Sequence, residues 1–206
     1  MESTVQFDRN KLKTVILYAC SKCEPSHLGA VKLHKVLYFL DMLHYAWTGT
    51  SVTGSTYRKR LHGPTCEQLL SIVREMSAEG LLKVEELDYF GFKKKQFIPL
   101  VPVESALLGP NERRMLDEVI DFVCFNNTAK TISEYSHQLP WEMAEFGSAI
   151  PYHTAFLLLP SEVSAEALDW AEKEAERIAD TRARPSEVVY TDGDVFRRRL
   201  RQASGL

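Results

Sequence analysis

His27, His34, Tyr38, Asp41 and Tyr45 fall on one side of a segment whose periodicity predicts a helix, and they are the chain's nearest approach to a metal-ligand set. The spacing argues against that use. His34 and Asp41 are separated by seven residues, about 10 Å along a helix axis, too far to share one ion. No H-E-x-x-H occurs, and His137 and His153 stand alone. The stripe reads instead as a half-buried polar face that orders the helix against its neighbours, or as a partner-contact face. Cys20 and Cys23 form one C-x-x-C at the end of a predicted helix, and Cys66 and Cys124 are isolated, so plain thiols are expected rather than a zinc or redox centre.

Other chemistries fail for equally specific reasons. Gly49 and Gly54 have the spacing of a phosphate loop, but Ser55-Thr56 follows where a lysine must meet the phosphate charge. Gly147-Ser148 has no companion base, and no G-x-S-x-G is present. Glu85 and Glu86 are adjacent on a predicted strand and therefore point to opposite faces. No catalytic residue, metal or cofactor is expected.

Nucleic acid is the more serious rival. Lys93, Lys94 and Lys95 lie on one arm of a predicted hairpin, and Arg58, Lys59 and Arg60 add charge nearby in sequence, as on the wing of a winged helix. Against it, the helix that would enter the groove carries Arg74 among Glu67, Glu75 and Glu79, which repel phosphate. A solvated hairpin is the expectation.

These residues must be positioned by a chain of 206 residues, 45% hydrophobic and 26% charged, long enough for a sizeable core and ordinary for a globular domain. A formal net charge of -3 gives no bulk attraction to polyanions or membranes. Residues 1–13 show no apolar leader core, and no apolar run nears the roughly 20 residues that span a bilayer, so a cytoplasmic location is expected.

Asp8 is the expected cap of a first helix running to Ser21. After Glu24-Pro25-Ser26, a long helix is expected to start at Ser26 or His27 and to end at Gly49, burying Leu33, Val36, Leu37, Leu40, Leu43 and Trp47. Ser55 to Arg60 reads as a strand broken by His62-Gly63-Pro64. Thr65 and Gln68 then read as a capping box opening a helix from Cys66 to Glu79. Leu81–Leu87 and Phe92–Leu100 read as a β-hairpin. Helices are expected over Glu112–Phe125, from a Thr131/Glu134 capping box to Pro140, over a turn at Trp141–Phe146, and from Glu162 to about Ala179. The last carries a narrow stripe of Leu168, Ala171, Ala175 and Ile178 and precedes the basic cluster Arg197 to Arg201. The fold class is α+β, mainly α: a helical domain with a small antiparallel hairpin or three-stranded sheet.

The segment Lys32-Leu33-His34-Lys35-Val36-Leu37-Tyr38, followed by Trp47-Thr48-Gly49 and then Gly63-Pro64, resembles the opening of the Panacea domain of SocA-like antitoxins. Ser136-His137, Trp141 and Ile150 resemble that family's late T-H…W…I element. The motif residues are thus Lys32, Leu33, Lys35, Leu37, Tyr38, Gly63, Pro64, His137 and Trp141. The resemblance implies a domain over residues 1–160, with 161–206 as an appended helix and charged tail. It implies an antitoxin of bacterial, phage or mobile-element origin that neutralises a cognate toxin by direct protein contact. A family relative that delivers its toxin to a protease leaves a proteolytic adaptor as an alternative; a DNA-binding accessory using the basic hairpin is another. Tyr38, Tyr45, Trp47, Tyr57, Tyr89 and Phe90 are the expected partner anchors, because aromatics give large contact area at small entropic cost. No enzymatic activity, membrane association or nucleic-acid partner is expected. His34, and everything after Pro160, depart from the family pattern.

Overall fold

The computed structural model describes residues 5–89, 92–103, 105–159 and 173 of the chain. Helix α1 (Arg9–Lys22) starts where expected, with the Asp8 carboxylate accepting from Lys11 N–H. It buries Leu12, Val15, Ile16 and Ala19. The next helix begins later than the sequence suggests. His27 N–H closes a turn onto Glu24 C=O, and α2 runs from Ala30 to Thr48 behind an extended Gly29. Gly49 ends it in the left-handed region at φ +74°.

Helix α2 is the axis of the molecule. Almost every residue from Lys32 to His44 is buried, polar ones included, because α1, the helices α4 (Pro110–Ile120) and α5 (Ala129–Tyr135), a hairpin strand and the 3₁₀ segment Tyr152–Leu158 pack around it. A helix enclosed on all sides must be apolar throughout or have internal partners for its polar groups. Here the partners are supplied.

The strands form two separate antiparallel ribbons rather than one sheet. In the first, β1 (Tyr57–Arg60) pairs with β2 (Gly63–Cys66) through a turn at Leu61-His62. Gly63-Pro64 is therefore the start of a strand and not the break before a helix. Pro64 has no N–H to donate, which a strand at the edge of a ribbon tolerates. The expected Thr65/Gln68 capping box does not form, since Thr65 lies in β2 and Gln68 Oε1 accepts from Thr56 N–H at 3.0 Å. Helix α3 accordingly starts at Leu69 and ends at Ala78. A third length of chain lies along the free edge of β1: Ile150 N–H bonds Tyr57 C=O at 2.7 Å, and Lys59 exchanges bonds of 3.0 Å with Ser148 and Gly147. The second ribbon, β3 (Leu82–Tyr89) with β4 (Phe92–Pro99), follows the expected hairpin.

Gly109 and Pro110 open α4, which passes into a π-turn over Asp121–Phe125 instead of continuing as an α-helix. The cap of α5 is Thr128, three residues before the one expected, with Thr131 returning its hydroxyl to Thr128 N–H at 2.9 Å. That helix stops at Tyr135, well short of Pro140. Pro140 instead sits in the first turn of α6 (Leu139–Met143), where a missing N–H costs nothing. The tail helix, its apolar stripe and the arginine cluster lie outside the described residues, apart from Lys173.

Candidate functional site

Five of the nine motif residues converge on the turn of the first ribbon. Lys35 is buried in the middle of α2, and its Nζ donates to His62 C=O at 2.6 Å and Pro64 C=O at 2.9 Å. Helix α5 and the residue after it complete the brace. Ser133 Oγ donates to His62 C=O at 2.8 Å, and Ser136 Oγ to Ser133 C=O at 2.6 Å. Gly63 lies between them at φ +89°, where a Cβ would stand 2.2 Å from Ser136 Oγ and 2.6 Å from Lys35 Nζ. Both the backbone angle and the space require glycine. Burial pushes the Lys35 ammonium down to about 7, because water is excluded and only carbonyl dipoles replace it.

The outer side of the corner is aromatic and cationic. Trp141 Nε1 donates to Arg60 C=O at 3.1 Å, and His137 stacks on Trp141 with centroids 3.9 Å apart. Lys59 Nζ sits 4.2 Å from the Trp141 centroid and donates to Glu142 C=O at 3.1 Å. Burial, then the nearby Lys35 charge, lowers the His137 pKa, and its Nε2 has no hydrogen-bond partner among the described residues. The remaining motif residues serve the interior. Leu33 and Leu37 are core, and Lys32 Nζ donates to Cys124 C=O at 2.8 Å in the π-turn.

The expected aromatic anchors do not form one face. Tyr38 and Tyr57 are 0% and 1% exposed and meet edge-on inside the protein with centroids 5.5 Å apart, so they offer no surface to a partner. Tyr45 is half-buried against Tyr152 and Phe156 at the far end of α2, and Trp47 is half-buried beside the core. The Tyr89 side chain and Phe90 lie outside the described residues.

The polar stripe of α2 orders the helix against its neighbours. Asp41 accepts from Thr53 N–H at 2.6 Å, from the Thr53 hydroxyl and from the Tyr57 hydroxyl at 2.7 Å, while the Tyr152 hydroxyl lies 3.1 Å away. Burial raises its pKa and these donors oppose the rise. His34 Nδ1 accepts from Cys66 N–H at 3.1 Å, and burial drives the ring down to about 4, so it stays neutral. Among the described residues no three His, Cys, Asp or Glu side chains are grouped to hold a metal ion. All four cysteines are free and buried. Cys124, isolated in sequence, lies against Cys23, which raises its pKa.

Sequence reasoning missed Ser133 as a brace, the exposed Leu61 and the Asp41–Thr53–Tyr152 network. Ser136 was visible only as the neighbour of His137, and a hydroxyl supporting a distant carbonyl leaves no local signature.

An α+β, mainly helical domain organised around a buried lysine and a glycine-proline corner thus holds residues 33–142, which match the family described as Antitoxin SocA-like, Panacea domain. The chain belongs to that family. No curated protein and no solved structure matches it. Among the described residues, no helix is long and apolar enough to cross a membrane.

Proposed function

We propose that this protein is the antitoxin of a toxin–antitoxin pair and that it neutralises its toxin by direct protein–protein contact, without catalysis. The observation that carries the reading is the family match over residues 33–142, with five of the motif residues gathered around one surface turn. An antitoxin family implies a toxin partner, and a braced turn suits recognition because little order is lost on binding.

The disposition of polar groups supports binding over catalysis. Lys35, the side chain most perturbed toward a general base, has its Nζ directed at two backbone carbonyls beneath Gly63. The lysines of the second hairpin support a protein partner over DNA. Lys94 Nζ donates to Ser26 C=O at 2.6 Å, and Lys93 lies 3.4 Å from Glu86 in an ion pair.

The test is co-expression. The product of the neighbouring reading frame is induced alone and then with this chain, and growth and co-purification are scored. Growth arrest relieved by this protein, with a stable complex, is the expected result. Relief accompanied by disappearance of the toxin and no complex would replace direct blocking with delivery to a protease. Absence of toxicity would remove the antitoxin reading.

A further inference from the structure

Four large apolar side chains are exposed on the chain segments that meet at the braced corner. Leu61, at the tip of the β1–β2 turn, is 72% exposed; Met143 and Phe146 are each 68% exposed and Leu139 is 50% exposed. The backbone joins these segments. Trp141 Nε1 bonds Arg60 C=O, and Gly147 N–H bonds Lys59 C=O at 3.0 Å, so Leu61 and Phe146 each lie one residue beyond a fixed contact. Arg60 stands between them, its Nη1 3.5 Å from where a Cβ on Gly147 would be. Its side chain makes no hydrogen bond or ion pair among the described residues, whereas Arg58 beside it is paired with Glu67 at 3.0 Å. Phe, Met and Arg on a rigid turn, with the guanidinium outside any ion pair among the described residues, are residue types enriched where protein interfaces form.

We infer that the corner formed by Arg60, Leu61, Met143 and Phe146 is the toxin-binding surface, and that its occupant is a toxin segment bringing an apolar side chain onto Leu61 and Phe146 and a carboxylate onto Arg60. The inference rests on the antitoxin reading above. The charges choose the occupant. A lone guanidinium calls for a carboxylate, and Glu142 and Glu145, exposed on the same segment as Met143 and Phe146, disfavour a uniformly anionic partner such as nucleic acid. Lys35, Ser133 and Gly63 hold the turn in one conformation before the partner arrives, which reduces the ordering cost at its tip.

The test measures binding of the neighbouring reading frame's product by titration calorimetry, with growth rescue alongside, for Leu61→Asp, Phe146→Asp and Arg60→Glu. Leu70→Asp, exposed on α3, whose main neighbours are α1 and β3, is the control. All three sites are exposed, so melting temperatures within a few degrees of wild type are expected; Leu61→Ala and Phe146→Ala serve should an aspartate variant unfold. The expected result is at least a hundredfold loss of affinity and loss of rescue for the corner variants, with the control unchanged. Corner variants that bind within threefold of wild type would overturn the surface while leaving the antitoxin reading intact. A wild-type chain that neither binds nor rescues would overturn both. Binding of duplex DNA that is lost in Arg60→Glu would overturn the choice of a protein occupant.

Discussion

Lys35 carries an ammonium into the interior, where it donates to the carbonyl oxygens of His62 and Pro64, and the cost of that arrangement depends on pH. Its pKa falls from 10.5 when unfolded to about 7 when folded. Between those values the unfolded chain holds the extra proton, so stability rises with pH across that window and the term is flat below it. We predict that the unfolding free energy of wild type, measured in urea relative to Lys35→Met, increases from pH 7 to pH 9.5. A difference that stays constant or falls would show that Lys35 keeps its proton throughout. Gly63 is the second residue whose substitution has one clear outcome. Gly63→Ala forces a side chain into the left-handed region and against Ser136 and Lys35, and should cost about 2–4 kcal/mol in urea unfolding. A loss below about 1 kcal/mol would mean that the turn relaxes around the methyl group.

At the scale of elements, Asp41 ties α2 to the loop before β1, to Tyr57 and to the 3₁₀ segment Tyr152–Leu158. Asp41→Ala leaves the buried Thr53 N–H without its acceptor and empties the space its carboxylate fills, while the Tyr57 and Tyr152 hydroxyls keep Leu37 C=O and Ser55 C=O, and it is expected to destabilise by roughly 2 kcal/mol, measured by thermal or urea unfolding. Elements set by local chemistry were legible in the sequence. The Asp8 cap fixes α1, the periodic apolar stripe and Gly49 fix the body and end of α2, and two alternating runs fix the β3–β4 hairpin. Strand β2 was not legible, because Gly63-Pro64-Thr65 with Gln68 reads locally as a break and a cap. Only the pairing with β1 and the reach of Gln68 to Thr56 decide otherwise. Thr128 escaped notice beside Thr131 because both hydroxyls belong to one cap. The site was legible in part. The motif marked Lys35, Gly63, Pro64, His137 and Trp141, but aromatic content pointed to Tyr38 and Tyr57, which ring packing consumes. Exposure depends on the neighbours an element acquires, and residue type alone does not report them.

For the molecule as a whole, one helix is the common neighbour of most of the others. Because α2 contacts α1, α4, α5, β2 and the 3₁₀ segment, none of these can open while α2 stays covered. Native-state hydrogen exchange should therefore give the central amides of α2, those of Ile16 and Ala19 in α1 and that of Val119 in α4 the same opening free energy. A lower value confined to α4 would reveal an independently opening unit.

The brace beneath the first turn grips main-chain oxygens. Lys35 and Ser133 hold His62 and Pro64 through carbonyls that any residue in those places would also present. The side chains at the tip are thus uncoupled from the support that shapes them, and Leu61 and His62 can be exchanged without disturbing their foundation. New side chains at the tip would change what the turn presents while the hand that holds them stays the same.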